Sequence, residues 1–183
     1  TDLGDAGRSH LVLRNLPMLA DSHPQGGAYA AATGSAAGWR GANLWRSSDG
    51  GATWRLARRL PEAALGTATT ALPVGGVATW DDVSTLDVTF ARPVTLTSRT
   101  DLAVLNGANV AVVGDEVIQF VTATALGGNA WRLSRLLRGR RGTEHTVGTH
   151  AVGDAVLVVD AAVAALGLTT ADLGAVRHVK APP

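Results

Sequence analysis

The run NGANVAVVGDEVIQFVTAT, residues 106–124, decides the fold. Gly114 and Asp115 divide it into VAVV and EVIQF, two β-branched segments joined by a tight-turn pair, which reads as a β-hairpin. In the second segment Ile118 and Phe120 fall on one face while Val117 and Gln119 fall on the other, the period-two pattern of a strand with at least one buried side. Gly127, Gly128 and Asn129 then separate this strand from AWRLSRLL, where glycines permit the positive φ of a second tight turn. Residues 109–137 are therefore expected to form a three-stranded meander.

The same alternation of short β-branched runs and turn residues extends in both directions. Further strands are expected at 11–13, 28–32, 42–47, 53–57, 67–71, 85–90, 103–105 and 155–160. Residues 61–64 and 73–76 read as connecting loops. Helical periodicity is nearly absent; the best segment is 170–173, where Thr169 or Thr170 is placed to cap one short turn. The expected class is all-β, mainly antiparallel, sandwich or barrel-like, with at most short helices near the C-terminus. One β-rich domain over 1–183 is expected, with lobes 1–98 and 99–183 as the alternative.

Composition narrows the function classes. The chain has 183 residues, 46% hydrophobic and 17% charged, which fits a folded core and excludes general disorder. No cysteine is present, so disulfides, thiolate metal sites and cysteine nucleophiles are excluded together. A net charge of +1 gives no global field toward nucleic acid, and no nucleic-acid partner is expected. No apolar run approaches the roughly 18 residues of a membrane helix, and the polar start shows no secretory signal. The start without Met and the linker-like Ala181, Pro182 and Pro183 favour a piece of a longer polypeptide.

Three charged or polar motifs carry candidate chemistry. The first is AWRLSRLLRGRRGT, residues 130–143, in which Arg132, Arg135, Arg138, Arg140 and Arg141 concentrate around Gly139 and Gly142. Such arginines either present bidentate forks to an outside anion or pair with Asp115, Glu116, Glu144 or Asp154 within the fold or at a subunit interface, and near-neutral charge favours the second. Arg138, beside Gly139, is the first expected to be structural. Arg138, Arg140, Arg141 and His150 together form a candidate interaction loop. The second motif, His145 and His150 near Glu144 and Asp154, lacks the spacing of a metal site, and His150 is expected to orient the turn into the strand at 155–160. Asp81, Asp82, Asp2 and Asp5 read as turn residues.

The third motif is SSDGGATW, residues 47–54. Ser47, Asp49, Gly51, Thr53 and Trp54 match the Asp-box pattern S-x-D-x-G-x-T-W found in sialidases and other β proteins. The Asp carboxylate is expected to accept backbone N–H bonds across a tight hairpin, with Trp54 packed on the sheet. A single such turn does not argue for glycosidase chemistry, because function is carried by a site and not by a shared turn. Trp39, Trp45 and Trp54 are candidates for a sugar platform, with core packing as the commoner alternative. No nucleophile elbow, phosphate loop or metalloprotease motif is present. No cofactor, no metal and no enzymatic activity are expected.

The blocks 106–124 and 130–143, followed by the loop through Glu144, His150 and Gly153, resemble in content and order the C-terminal region of phage tail and gene transfer agent baseplate hub proteins. LPML (16–19), AYAAATG (28–34), GWRGANLWRSSDGGATW (38–54) and LGTATTAL (65–72) are similar to earlier segments of that family, so the resemblance covers most of 11–160. It implies a non-catalytic structural and interaction domain of a tail tip or baseplate hub, made in the bacterial cytoplasm and located in the virion where the particle meets the cell. Implied partners are other tail or baseplate subunits, a homotrimer in the full-length protein, and a cell-surface glycan. The alternative from the residues themselves is a carbohydrate-binding β domain related to Asp-box proteins.

Overall fold

The computed structural model describes residues 7–19 and 27–182. Asp2, Asp5 and the reading of the chain's first residues lie outside the described residues. The chain forms two compact units, Thr1–Ala63 with Ala161–Pro183, and Ala64–Asp160. The alternative division at 98–99 falls inside the second unit, because strands from both sides of it close one barrel.

In the first unit β1 (Ser9–Leu16) and β2 (Gly27–Gly34) pair along their full length, and the short β11 (Ala164–Ala165) adds to β2. A second sheet has the order β12 (His178–Lys180), β3 (Ala42–Ser47), β4 (Arg55–Leu60). Alternation sets which residues meet between the sheets. Ala30 and Ala32 of β2, Ala42 and Leu44 of β3, Leu60 of β4 and Ala164 of β11 form one buried cluster around Trp39. The alanines of AYAAATG leave space for that indole, whose Nε1 donates to Ser9 Oγ at 2.9 Å.

The second unit is a closed antiparallel barrel of β5 (Leu65–Ala68), β6 (Asp81–Phe90), β7 (Val110–Val113), β8 (Glu116–Gly127), β9 (Ala130–Leu137) and β10 (Ala155–Val158). Around it the order is β10-β5-β6-β9-β8-β7, and pairing of β10 with β7 removes the open edges. Residues 109–137 do form the meander β7-β8-β9. Leu86, Val88, Phe90, Ile118, Phe120, Leu133 and Leu136 fill the interior. Each such side chain contributes about 1.5–3 kcal/mol when fully buried.

Leu133 and Leu136 are three residues apart and both 0% exposed, which simple alternation forbids. The phase changes at Arg135, whose φ of 53° is left-handed in mid-strand. Its side chain is anchored by Asp101 and Asp82 and lies over the Trp80 ring at 4.8 Å. These contacts hold a backbone conformation that β-strand residues otherwise avoid.

Residues 103–105 are not a strand. They belong to α1 (Asp101–Leu105), a mid-chain helix where helices were expected only near the C-terminus. Thr100 Oγ1 accepts from the Ala103 N–H, Asp101 sits in the first turn, and Val104 packs with Val121 and Leu137 outside the barrel. At 170–172 a single 3₁₀ turn forms, with Thr169 and Asp172 making a reciprocal capping box.

Candidate functional site

Glu116 opens β8 immediately after the Gly114–Asp115 turn, and Arg138 follows the last residue of β9. Neighbouring strands thus bring the two side chains together at one end of the barrel, where both are 0% exposed. The pair is bidentate: Arg138 Nε donates to Glu116 Oε1 at 2.8 Å and Nη2 donates to Oε2 at 2.9 Å. Arg138 Nη1 reaches the Pro73 carbonyl at 2.9 Å and Asp81 Oδ2 at 3.2 Å. Asp81 also accepts the N–H groups of Val83 and Ser84, so it both holds its turn and faces the guanidinium.

Gly139 explains why a glycine follows Arg138. Its φ is 57°, its N–H donates to Glu116 Oε1 at 2.7 Å, and an added Cβ would meet Glu144 Cα at 2.8 Å. The loop then returns His150, its side chain 2% exposed, between two carboxylates. Its Nε2 lies 2.7 Å from Glu116 Oε2 and its Nδ1 lies 3.2 Å from Asp154 Oδ2. Asp154 accepts the Ala151 N–H as well, fixing the turn that leads into β10.

Burial alone pushes the Glu116 carboxyl upward, but hydrogen bonds from His150, Arg138 and the Gly139 N–H outweigh it and hold the group below its ordinary range. The hydrogen bond to Glu116 raises His150 above the ordinary imidazole range, with Asp154 adding to the effect. A carboxyl depressed in the fold contributes stability that is lost as pH falls through its folded value. A histidine raised in the fold contributes stability that is lost as pH rises through its folded value. The thermal midpoint is therefore expected to be highest between the ordinary carboxylate and imidazole ranges and to decline on both sides. His150→Gln should flatten the alkaline decline in a calorimetric pH series; an unaltered decline would contradict the assignment.

Arg132, Arg135 and Arg140 of the run are also held within the barrel unit. Arg132 makes a bidentate pair with Asp87 at 2.7 Å, and Arg135 holds Asp82 and Asp101. Arg140 Nε donates to Gln119 Oε1 at 3.0 Å, while Gln119 Nε2 donates to the carbonyls of Val104 and Ala108. Arg141, with φ 60°, follows in the 3₁₀ turn Arg140–Gly142. Of the acids weighed from sequence, Glu116 meets Arg138 directly and Asp154 joins through His150. Asp81, Asp82, Asp87 and Asp101 are additional partners, and the first two had been read as turn residues only. Their separation of 34 to 57 residues from the arginines left no local signal. Glu116 and Arg138 present no exposed atom to a substrate, and among the described residues no group of three His, Cys, Asp or Glu side chains is arranged to hold a metal ion.

The 47–54 motif builds its turn in the first unit. Asp49 accepts from Thr53 N and Oγ1 and from Ser47 Oγ, and Gly51 N–H donates to Ser47 Oγ at 2.9 Å. These bonds, Ser47 first, hold the Asp49 carboxyl far below its ordinary range. Because Thr53 N–H is bound to Asp49, β4 begins at Arg55 and not at residue 53. Trp54 lies under Lys180 of β12, with Nζ 4.0 Å from the ring centroid. Asp49→Ala should lower the thermal midpoint by a few degrees and Asp49→Asn by less, since the amide oxygen still accepts a bond. An unchanged midpoint in both would show that these bonds do not stabilise the turn.

Residues 63–157 match the family described as Rcc01698-like, C-terminal. That span nearly coincides with the barrel unit, Ala64–Asp160, and includes Glu116, Arg138 and His150. No curated protein matches the chain.

Proposed function

We propose, since the chain belongs to the Rcc01698-like C-terminal family, that it is a non-catalytic structural and interaction domain of a phage-like tail tip or gene transfer agent baseplate hub. The observation that carries this reading is the use made of the run 130–143. Arg132, Arg135, Arg138 and Arg140, the most reactive-looking feature of the sequence, pair with carboxylates and carbonyls of the same unit, and the side chains of Arg138, Glu116 and His150 are almost wholly inaccessible. Such a network fixes loop geometry at the barrel end and presents a rigid surface to neighbouring subunits. The block resemblance to tail-hub proteins supports the particle assignment, with other tail or baseplate subunits as partners and the virion as location.

The carbohydrate-binding alternative finds less support. Trp39 is buried and Trp54 carries Lys180 over its ring.

Arg140 and Arg141 lie where the network meets solvent, and exposed charges add little to monomer stability while they can decide docking. Arg140→Ala/Arg141→Ala is expected to leave the thermal midpoint within a few degrees of wild type and to lower incorporation into particles. Wild-type particle yield together with lost binding to cells would move the loop from assembly to receptor recognition.

A further inference from the structure

A cleft of about 680 Å³ opens in the first unit at the hairpin end of β3 and β4. Ala42 and Leu44 of β3 belong to the buried cluster, the β3–β4 register shifts after Leu44, and Arg46 lies just beyond the shift. Directly across the pair from Arg46 stands Arg55. Both line the cleft. Like charges placed directly opposite destabilise a strand pair, and among the described residues neither arginine has a hydrogen-bond or ion-pair partner.

Asp49 and Asp172, the two carboxylates that line the same cleft, are already engaged. Asp49 is held by Ser47 and Thr53, and Asp172 by Thr169 and Arg177. Arg14, Arg40, Arg58, Arg59 and Lys180 add to the cationic character of this unit, whose described acids are Asp49, Glu62 and Asp172. The position between Arg46 and Arg55 thus lacks an anion that the fold does not supply.

A second cleft of about 280 Å³ shares Arg46, Leu166, Asp172 and Arg177 with the first and is otherwise more apolar, with Leu13, Leu168 and Val179 in its lining. No aromatic ring lines either cleft, so the flat platform on which sugars stack is missing. A cationic end continuous with an aliphatic end fits a polypeptide in which carboxylates and aliphatic side chains alternate. We infer that these joined clefts dock an acidic, aliphatic peptide segment of a partner protein, with a carboxylate set between Arg46 and Arg55 and aliphatic side chains toward Leu13, Leu166 and Leu168.

This surface lies outside the matched span 63–157 and its test needs no particle. A fluorescein-labelled peptide of Glu-Leu-Ser repeats, its Gln-Leu-Ser counterpart and a galacturonate oligosaccharide would be titrated against the full chain by fluorescence anisotropy, the sugar as competitor. Saturable binding of the Glu peptide is expected, weakened about tenfold or more both by the Gln replacement and by Arg46→Gln/Arg55→Gln. Arg46→Lys/Arg55→Lys should retain part of the affinity, because a point charge replaces the planar fork. An Arg8→Gln/Arg40→Gln control, which removes charge away from the clefts, should bind as wild type. Equal binding of the Gln peptide, or no binding of either peptide, overturns the inference. So does an equal loss in the Arg8/Arg40 control, which would reduce the effect to general surface charge. Competition by the oligosaccharide at concentrations equal to those of unlabelled Glu peptide would make the site one for acidic sugars and would also overturn it.

Discussion

Glu116→Ala should destabilise the protein by about 3–5 kcal/mol, the usual consequence of removing one partner of a buried ion pair, since Asp81 at 3.2 Å is then the only carboxylate paired with Arg138. Glu116 answers four donors or charges at once: Arg138 through both carboxylate oxygens, the Gly139 N–H, and His150. Its loss leaves Nε and Nη2 of a guanidinium that is 0% exposed without an acceptor, with only Nη1 still bonded, and removes the acceptor that fixes the left-handed Gly139. Glu116→Gln should lose nearly as much, since it keeps the shape but removes the charge. A Glu116→Gln/Arg138→Met double variant should recover part of the loss, because the stranded charge is then gone. Chemical denaturation of the set checks this. Additive losses in the double variant would contradict the coupling, as independent residues simply sum.

Gly34→Ala should lower stability by about 3 kcal/mol or more, a large effect for one methyl group. Its Cβ would fall on Cβ and Cγ of Trp39, the root of a buried indole that cannot swing aside as a flexible chain end does. Overpacking of this kind costs about 1–3 kcal/mol when the neighbours adjust, and expulsion of the ring forfeits burial comparable to a Trp truncation, about 3–5 kcal/mol. The Trp39 Nε1 bond to Ser9 would be lost as well. Circular dichroism in the near ultraviolet should show an altered indole environment together with a lowered midpoint. A variant as stable as wild type with unchanged spectra would mean that the indole is not packed against β2 as described.

The barrel was legible from sequence where the signal is local. Gly114 and Gly127 bound β8, and the alternation of Ile118 and Phe120 gave the meander and its inward face. Residues 103–105 misled because DLAVL carries the β-branched Val104 while its helix start is marked by one bond from the Ala103 N–H to Thr100 Oγ1, a signal too short for periodicity. β11 and β12 escaped notice because two or three residues pair only when a distant strand is already present. The Leu133 and Leu136 spacing contradicts a plain strand unless the chain turns left-handed at Arg135, which depends on Asp82 and Asp101 far away in sequence. For the same reason the run 130–143 announced an important charge cluster but not its partners. The turn at Ser47, Asp49 and Thr53 was readable because all its bonds lie within eight residues.

The barrel with its buried Glu116, Arg138 and His150 is proposed to be a fixed building piece of a particle. Immunogold electron microscopy of particles purified from a strain carrying an epitope-tagged copy of the parent gene tests that most directly. The label is expected at the tail end distal from the head, and Glu116→Ala should remove it along with the folded protein. Particles of wild-type yield and infectivity or transfer activity that carry no label, with the tagged protein remaining folded in the cell, would contradict the assignment.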